Sequence, residues 1–180
     1  MNLADAEKIA NAFADTLRPS CERIEIAGSI RRRRPTVNDV DIVCIPRYTL
    51  LAGALFDRGD NTTSELDRVL HQLESDGRIQ LINDGPKLKR GTFPRKEDFP
   101  FDIYIADAST WAMIYLVRTG PAAHNQMLCQ LAIELGGRFH ADGAGITDKT
   151  GKLTPADSEA KVFELLGLPY QEPEQREGTP

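Results

Sequence analysis

Two apolar runs in this chain are each broken by a carboxylate. Val40 to Ile45 reads Val-Asp-Ile-Val-Cys-Ile and closes on Pro46; Phe101 to Ala106 reads Phe-Asp-Ile-Tyr-Ile-Ala. Short runs rich in β-branched residues predict buried strands. An ionised Asp inside such a strand is costly unless it is paired or metal-bound. The fold must therefore bring a cation to Asp41 and Asp102. Side chains at i and i+2 of a strand share a face, so Asp39 projects with Asp41 while Val40 and Ile42 turn into the core. Like charges about 6–7 Å apart at the Cα level repel in a low dielectric, and a divalent cation between them relieves the repulsion.

The rest of the chain provides a frame for those strands. Ala6, Ile9, Ala10, Phe13 and Leu17 predict an amphipathic helix from Asp5 to about Leu17, ended by Pro19. Arg23 to Ala27 alternates as a half-buried strand and stops at Gly28-Ser29, with a loop through Pro35. Gly53, Gly59 and Asn61 mark a further loop. A helix from Glu65 to about Ser75 is capped by Thr63 or Ser64 and closed by Gly77. Ile79 to Ile82 and Lys87 to Phe93 flank the turn Asn83-Asp84-Gly85-Pro86. After Asp107 the pattern becomes helical. Helices are expected from Thr110 to Arg118, from Pro121 to about Leu135 and from Ser158 to Leu166, with a hairpin around Asp148 to Gly151. The Pro- and Glu-rich tail is expected to fray. The fold class is α+β: a mixed sheet carrying the chemistry, then a small, mostly helical lobe with a β-hairpin.

Composition narrows the function classes. The 180 residues suffice for one domain or two subdomains sharing a core, without disulfides. Cys21, Cys44 and Cys129 lack zinc-knuckle or redox-motif spacing and read as reduced thiols of a cytosolic protein. No apolar run approaches a membrane span or the core of a signal peptide. A formal net charge of -5 weighs against a sequence-independent nucleic-acid binder. Grip on such a ligand would rest on local patches: Arg31 to Arg34, and Lys87, Lys89, Arg90, Arg95 and Lys96.

Three carboxylates on two strands, Asp39, Asp41 and Asp102, can hold two hard cations roughly 3.5–4 Å apart, as in-line phosphoryl transfer requires. Magnesium suits a few carboxylates plus substrate phosphates. Gly28 lets backbone approach a phosphate closely, the Ser29 hydroxyl can donate to its oxygens, and Arg32 can add a bidentate contact. An Asp-x-Asp or a Gly-Ser alone is commonplace. Their order and strand positions together point to a metal-dependent nucleotidyltransferase.

Four segments resemble family X, the DNA polymerase beta family, and its bacterial members most. They are Ala27-Gly28-Ser29-Ile30-Arg31-Arg32-Arg33-Arg34 with Asn38-Asp39-Val40-Asp41-Ile42-Val43, then Phe101-Asp102-Ile103-Tyr104, then Thr119-Gly120-Pro121-Ala122-Ala123-His124-Asn125, and finally Phe163 to Tyr170. The resemblance implies a catalytic palm over 1–107 and a nucleotide-contacting thumb over 108–180. It implies Asp39, Asp41 and Asp102 as ligands of two Mg2+ ions, with Mn2+ as a substitute, and Asp102 beside the primer 3′-hydroxyl. It implies Gly28, Ser29 and Arg32 on the β- and γ-phosphates, Gly120 near the sugar and Asn125 at the base edge. The implied partners are a DNA primer-template and a deoxynucleoside triphosphate. A monomer without membrane attachment, cytoplasmic and nucleoid-associated, is expected, along with an accessory DNA-binding partner and a role in gap filling or short-patch repair.

The departures are specific. Val117 and Arg118 stand where the family often has two aromatics, Ala122 where it often has an acid, Cys129 where several members have an arginine, and Pro100 where an arginine commonly flanks the third carboxylate. The 180 residues leave no room for lyase or phosphoesterase domains, so a bare catalytic core is expected. Two other readings share parts of the pattern: a template-independent terminal transferase, and a minimal nucleotidyltransferase acting on tRNA, protein or a small molecule. A non-enzymatic DNA-end-binding module fits less well, because all three carboxylates are present. Trp111 and Tyr115 read as core, His71 and His140 as surface or satisfied, and His124 as the histidine nearest the substrate segment.

Overall fold

A computed structural model describes residues 1–50 and 62–176. The loop expected at Gly53, Gly59 and Asn61 lies outside the described residues, as does the end of the tail. Helix α1 (Leu3–Leu17) is capped by Asn2, whose side chain accepts from the Asp5 amide. Strand β1 (Cys21–Ile26) follows, then a short helix α2 (Gly28–Arg31), then β2 (Val40–Pro46). The segment after Ala27 was expected to be loop. It turns helical because Gly28, at φ +60°, reverses the chain and the Arg31 amide returns to the Ala27 carbonyl.

Strands β3 (Tyr48–Leu50) and β4 (Thr62–Ser64) pair with each other. Helix α3 (Glu65–Ser75) is capped by Ser64 and buries Leu66, Leu70 and Leu73. Strands β5 (Gln80–Asp84), β6 (Leu88–Phe93) and β7 (Phe99–Ile105) complete the main sheet. Among the described residues its order is β1-β2-β7-β6-β5, antiparallel except for the parallel pair β2 and β7. The mixed α+β class expected from the sequence is the class observed.

Alternation divides the sheet's two faces. Val40, Ile42 and Cys44 of β2 and Phe101 and Ile103 of β7 point to one face, where α1 and α3 cover them. Phe13, Phe93 and Phe101 meet there with ring centroids 4.9–5.0 Å apart. Gly91 of β6 lies opposite Phe101, and a Cβ at that position would strike the Phe101 ring and the Gln80 carbonyl. The other face carries Asp41, Val43, Asp102 and Tyr104. Helix α4 (Trp111–Thr119) covers only part of it, packing Trp111 and Ile114 on Ala27, Val43 and Ala106.

Helix α4 starts one residue after the expected Thr110, which precedes it without a side-chain cap, and Asp107 Oδ1 accepts from the Ser109 and Thr110 amides in the turn leading into it. The opposite side of α4, with Met113 and Leu116, belongs to a separate apolar cluster. That cluster is built with α5 (Ala122–Glu134), the small sheet β8 (Arg138–His140), β9 (Gly145–Thr147) and β10 (Leu153–Thr154), and α6 (Glu159–Leu165). The hairpin expected around Asp148 to Gly151 is the β9–β10 turn, and β8 extends it to three strands. Among the described residues no helix is long and apolar enough to cross a membrane.

Candidate active site

The parallel pair β2 and β7 runs in step, so Asp41 stands directly opposite Asp102. Neighbouring strands lie about 4.8 Å apart. Asp39, one residue before β2, is close enough to act electrostatically on Asp41 and to feel Asp102. The three carboxylates feel one another. Burial, then Asp39, then Asp102 push the Asp41 carboxyl up to about 7. Burial and Asp102 also raise Asp39, against the pull of Arg32 and Arg90. Negative charge has been gathered here without enough positive charge to balance it, the condition that a bound divalent cation relieves.

The carboxylates do not converge on one point. Among the described residues no three acidic, histidine or cysteine side chains are gathered as a metal-ligand set. Asp102 instead meets Arg90 of β6 as a bidentate pair, with Nε to Oδ1 and Nη2 to Oδ2 both at 2.7 Å. The Tyr104 hydroxyl donates to the same Oδ2 at 3.0 Å. Arg118 of α4 stacks over the Tyr104 ring, 4.2 Å from its centroid. Beside this pair opens a cleft of about 400 Å³ lined by Lys87, Tyr104, Asp107, Thr110, Ile114 and Arg118, a size suited to a small ligand.

The glycine-serine turn sits against the carboxylates. A Cβ on Gly28 would collide with the Asp41 carboxylate, so Gly28 and Asp41 are in direct contact. The Ser29 hydroxyl and the Arg32 Nε are buried and without hydrogen-bond partners. Arg32 Nη1 donates to the Thr119 carbonyl, which ties α2 to the Thr119-Gly120 segment. Burial pulls the Arg32 guanidinium below its usual range, as does Arg34, while Asp41 and Asp39 oppose them. Gly28, Ser29, Arg32, Asp39, Asp41 and Gly120 are thus linked around one site. Asn125 is placed less directly. Its Nδ2 donates to the Val117 carbonyl at 2.8 Å, and its Oδ1 is buried without a partner.

The basic run did not reveal its main structural role. Arg31 forks onto Glu159 of α6 at 2.6 and 2.8 Å, donates to Thr119 Oγ1 at 2.6 Å, and lies 3.8 Å over the Tyr115 ring. Arg176, fully buried, donates to Glu159 Oε1 at 2.9 Å and to the Gln171 carbonyl. Burial would raise the Glu159 carboxyl, but its two arginines outweigh that and hold it low. In the sequence Glu159 and Arg176 are part of an acidic tail, and nothing local links them to Arg31, 128 residues before Glu159.

The second basic cluster is also consumed by the protein. Lys89 is buried between Asp67 at 2.8 Å and Asp84 at 2.6 Å, and Arg90 is on Asp102. Arg95 and Lys96 line a different groove, with Lys8, Phe13, Arg78 and Phe93. The residues from 87 to 96 therefore form no single patch, because alternate positions of a strand face opposite ways. His71 and His140 are satisfied by Asp84 and Thr147. His124 has no exposed surface and packs on Phe163.

Known proteins resemble this chain in sequence and fold. A family profile described as DNA polymerase beta thumb matches residues 114–177. The DNA polymerase lambda of Rattus norvegicus is 27% identical over 194 residues, covering 97% of this chain. The chain spans 32% of that relative's length. Two crystal structures of Leishmania infantum polymerase beta superpose on 98% of the chain. The ternary P/T complex has a TM-score of 0.75 at 22% identity over 76% of its own chain, and the ternary gap complex 0.76 at 20% over 70%. The chain is thus similar to DNA polymerase lambda over nearly its whole length, shares its fold with polymerase beta, and matches a DNA polymerase beta thumb profile over residues 114–177.

Proposed function

We propose that the chain is the nucleotidyl-transfer core of a DNA polymerase. It adds deoxynucleoside monophosphates from dNTPs to a primer 3′-hydroxyl and releases pyrophosphate, in gap filling or short-patch repair. The observation that carries this reading is the in-step placement of Asp41 opposite Asp102, with Asp39 alongside and the Asp41 carboxyl raised to about 7 by burial and then by its two neighbouring carboxylates. The donor set is all oxygen and anionic, which fits Mg2+ or Mn2+. Asp39, Asp41 and Asp102 would hold the ions, which when bound supply Lewis acidity at the phosphates and at the attacking hydroxyl.

The chain's own groups do the rest. Ser29 and Arg32 have buried donors without protein acceptors, and triphosphate oxygens would satisfy them. Gly28 allows a phosphate to approach while Asp41 stays in contact with it. Gly120 sits against Arg32 where α4 hands over to α5, and Asn125 is tied to the Val117 carbonyl near the end of α4, so sugar and base would lie beside the triphosphate. Residues 1–107 then act as palm and 108–180 as thumb, a division supported by the apolar clusters on the two sides of α4, one against the main sheet and one within the second lobe.

Primer extension on gapped, nicked and single-stranded DNA, with each dNTP and with Mg2+ or Mn2+, tests the reading. Template-matched incorporation that Asp102→Ala lowers by at least about 1000-fold, with dNTP binding retained, is expected. Incorporation indifferent to the template base would replace it with a terminal transferase. Label transfer to tRNA or protein, with none to primers, would replace it with a minimal nucleotidyltransferase.

A further inference from the structure

Asp41, Asp102 and Arg90 form one row across three adjacent strands, because Asp102 pairs in register with Asp41 of β2 on one side and with Arg90 of β6 on the other. All three side chains are on the same face. A carboxylate in the middle of such a row can lean toward either neighbour. In this structure it leans to Arg90, which takes both of its oxygens at 2.7 Å. Of the roughly four lone-pair positions of a carboxylate, the guanidinium fork fills two and the Tyr104 hydroxyl a third. Residue 100, the other same-face neighbour of Asp102 along β7, is a proline and has no donor to offer. The Arg90 side chain is 52% exposed against 10% for Asp102, so the arginine has solvent to retreat into and the carboxylate does not.

We propose that Arg90 is a positioning residue: a resident counter-ion that holds Asp102 away from Asp39 and Asp41 until a divalent cation competes for it. The inference rests on the metal-binding reading of Asp39, Asp41 and Asp102 given above. The free protein thereby avoids three unbalanced carboxylates at one point. Metal binding at the third carboxylate then carries the cost of breaking a charge-assisted pair.

Binding of Mn2+ to the free protein, followed by the electron paramagnetic resonance of unbound ion, tests this without activity. Arg90→Met is expected to bind Mn2+ roughly fivefold to tenfold more tightly than wild type, the size of effect that follows when a charged hydrogen-bonded pair need not be broken. Arg90→Lys, which keeps the charge but loses the fork, is expected to fall between them. In wild type, a Mg2+ titration should move the Arg90 Nε–H resonance toward that of a solvated arginine. This measurement decides the matter even if Arg90→Met fails to fold. Equal or weaker Mn2+ binding by the variants, or an Arg90 resonance unmoved at saturating Mg2+, overturns the proposal. Absence of Mn2+ binding in wild type and variants alike overturns the metal reading itself, so the two failures are distinct.

Discussion

At the scale of single residues, Asp41 has the largest pH consequence. Its folded value of about 7 lies above its ordinary 3.8. Between those values the folded chain holds a proton that the unfolded chain has released, so folding is favoured as pH falls. Thermal melting of the metal-free protein should therefore shift upward as pH drops from 8 toward 5, by a few kcal/mol at most, and level off below about 4. Asp41→Asn should flatten that slope; a slope unchanged in the variant would assign it to other groups. Gly28 is a second sensitive position. Its φ of +60° and its contact with the Asp41 carboxylate leave no place for a methyl group. Gly28→Ala is expected to lower nucleotide addition about 100-fold or more by displacing Asp41, while the melting temperature changes by only a few degrees. Both positions were legible in the sequence, because an Asp inside an apolar strand and a glycine at a strand end each carry a local cost. Arg90 was not legible as a partner of Asp102. Its role depends on a register between β6 and β7 that only the folded hairpin defines.

At the scale of elements, α2 is the shortest α-helix among the described residues and has much to hold. Four residues carry the glycine-serine turn at one end and Arg31 at the other, and Arg31 reaches Glu159 of α6. Removing that carboxylate strands two guanidinium groups, one of them fully buried. Glu159→Ala should cost about 3–5 kcal/mol in urea unfolding, whereas Arg31→Met, Glu159→Leu and Arg176→Met combined should come closer to neutral. If the single variant proved as stable as wild type, the cluster would have no part in holding α2 to α6. Periodicity foretold α1, α3 and the five strands of the main sheet within a residue or two, but not β3 or β4. It could not foretell α2, whose four residues are too few to show a period, or the Arg31-Glu159-Arg176 cluster, whose first member stands 128 residues before Glu159.

For the whole molecule, most of the obvious cations are spent internally. Arg31, Lys89 and Arg90 serve Glu159, Asp67 with Asp84, and Asp102, and Arg33 lies 3.1 Å from Glu174. In a chain of net charge -5, these paired residues are not free to neutralise phosphates. Affinity for gapped DNA should fall roughly 10- to 100-fold between 50 and 200 mM salt, well short of the loss expected for about 6–10 phosphate contacts. Fluorescence anisotropy would measure the slope, and a much steeper one would mean that cations now paired are released on binding. The step between β2 and β7 has a different kind of consequence. Asp41 meets Asp102 because two parallel strands are aligned, not because a loop was shaped around them, and a slip of one residue would put the two on opposite faces. Transplanting the acidic centre into an unrelated parallel sheet would thus mean copying a single strand alignment and the glycine beside it. Both lie in the main sheet and the turn that follows β1, so that alignment is the least such a transplant must preserve.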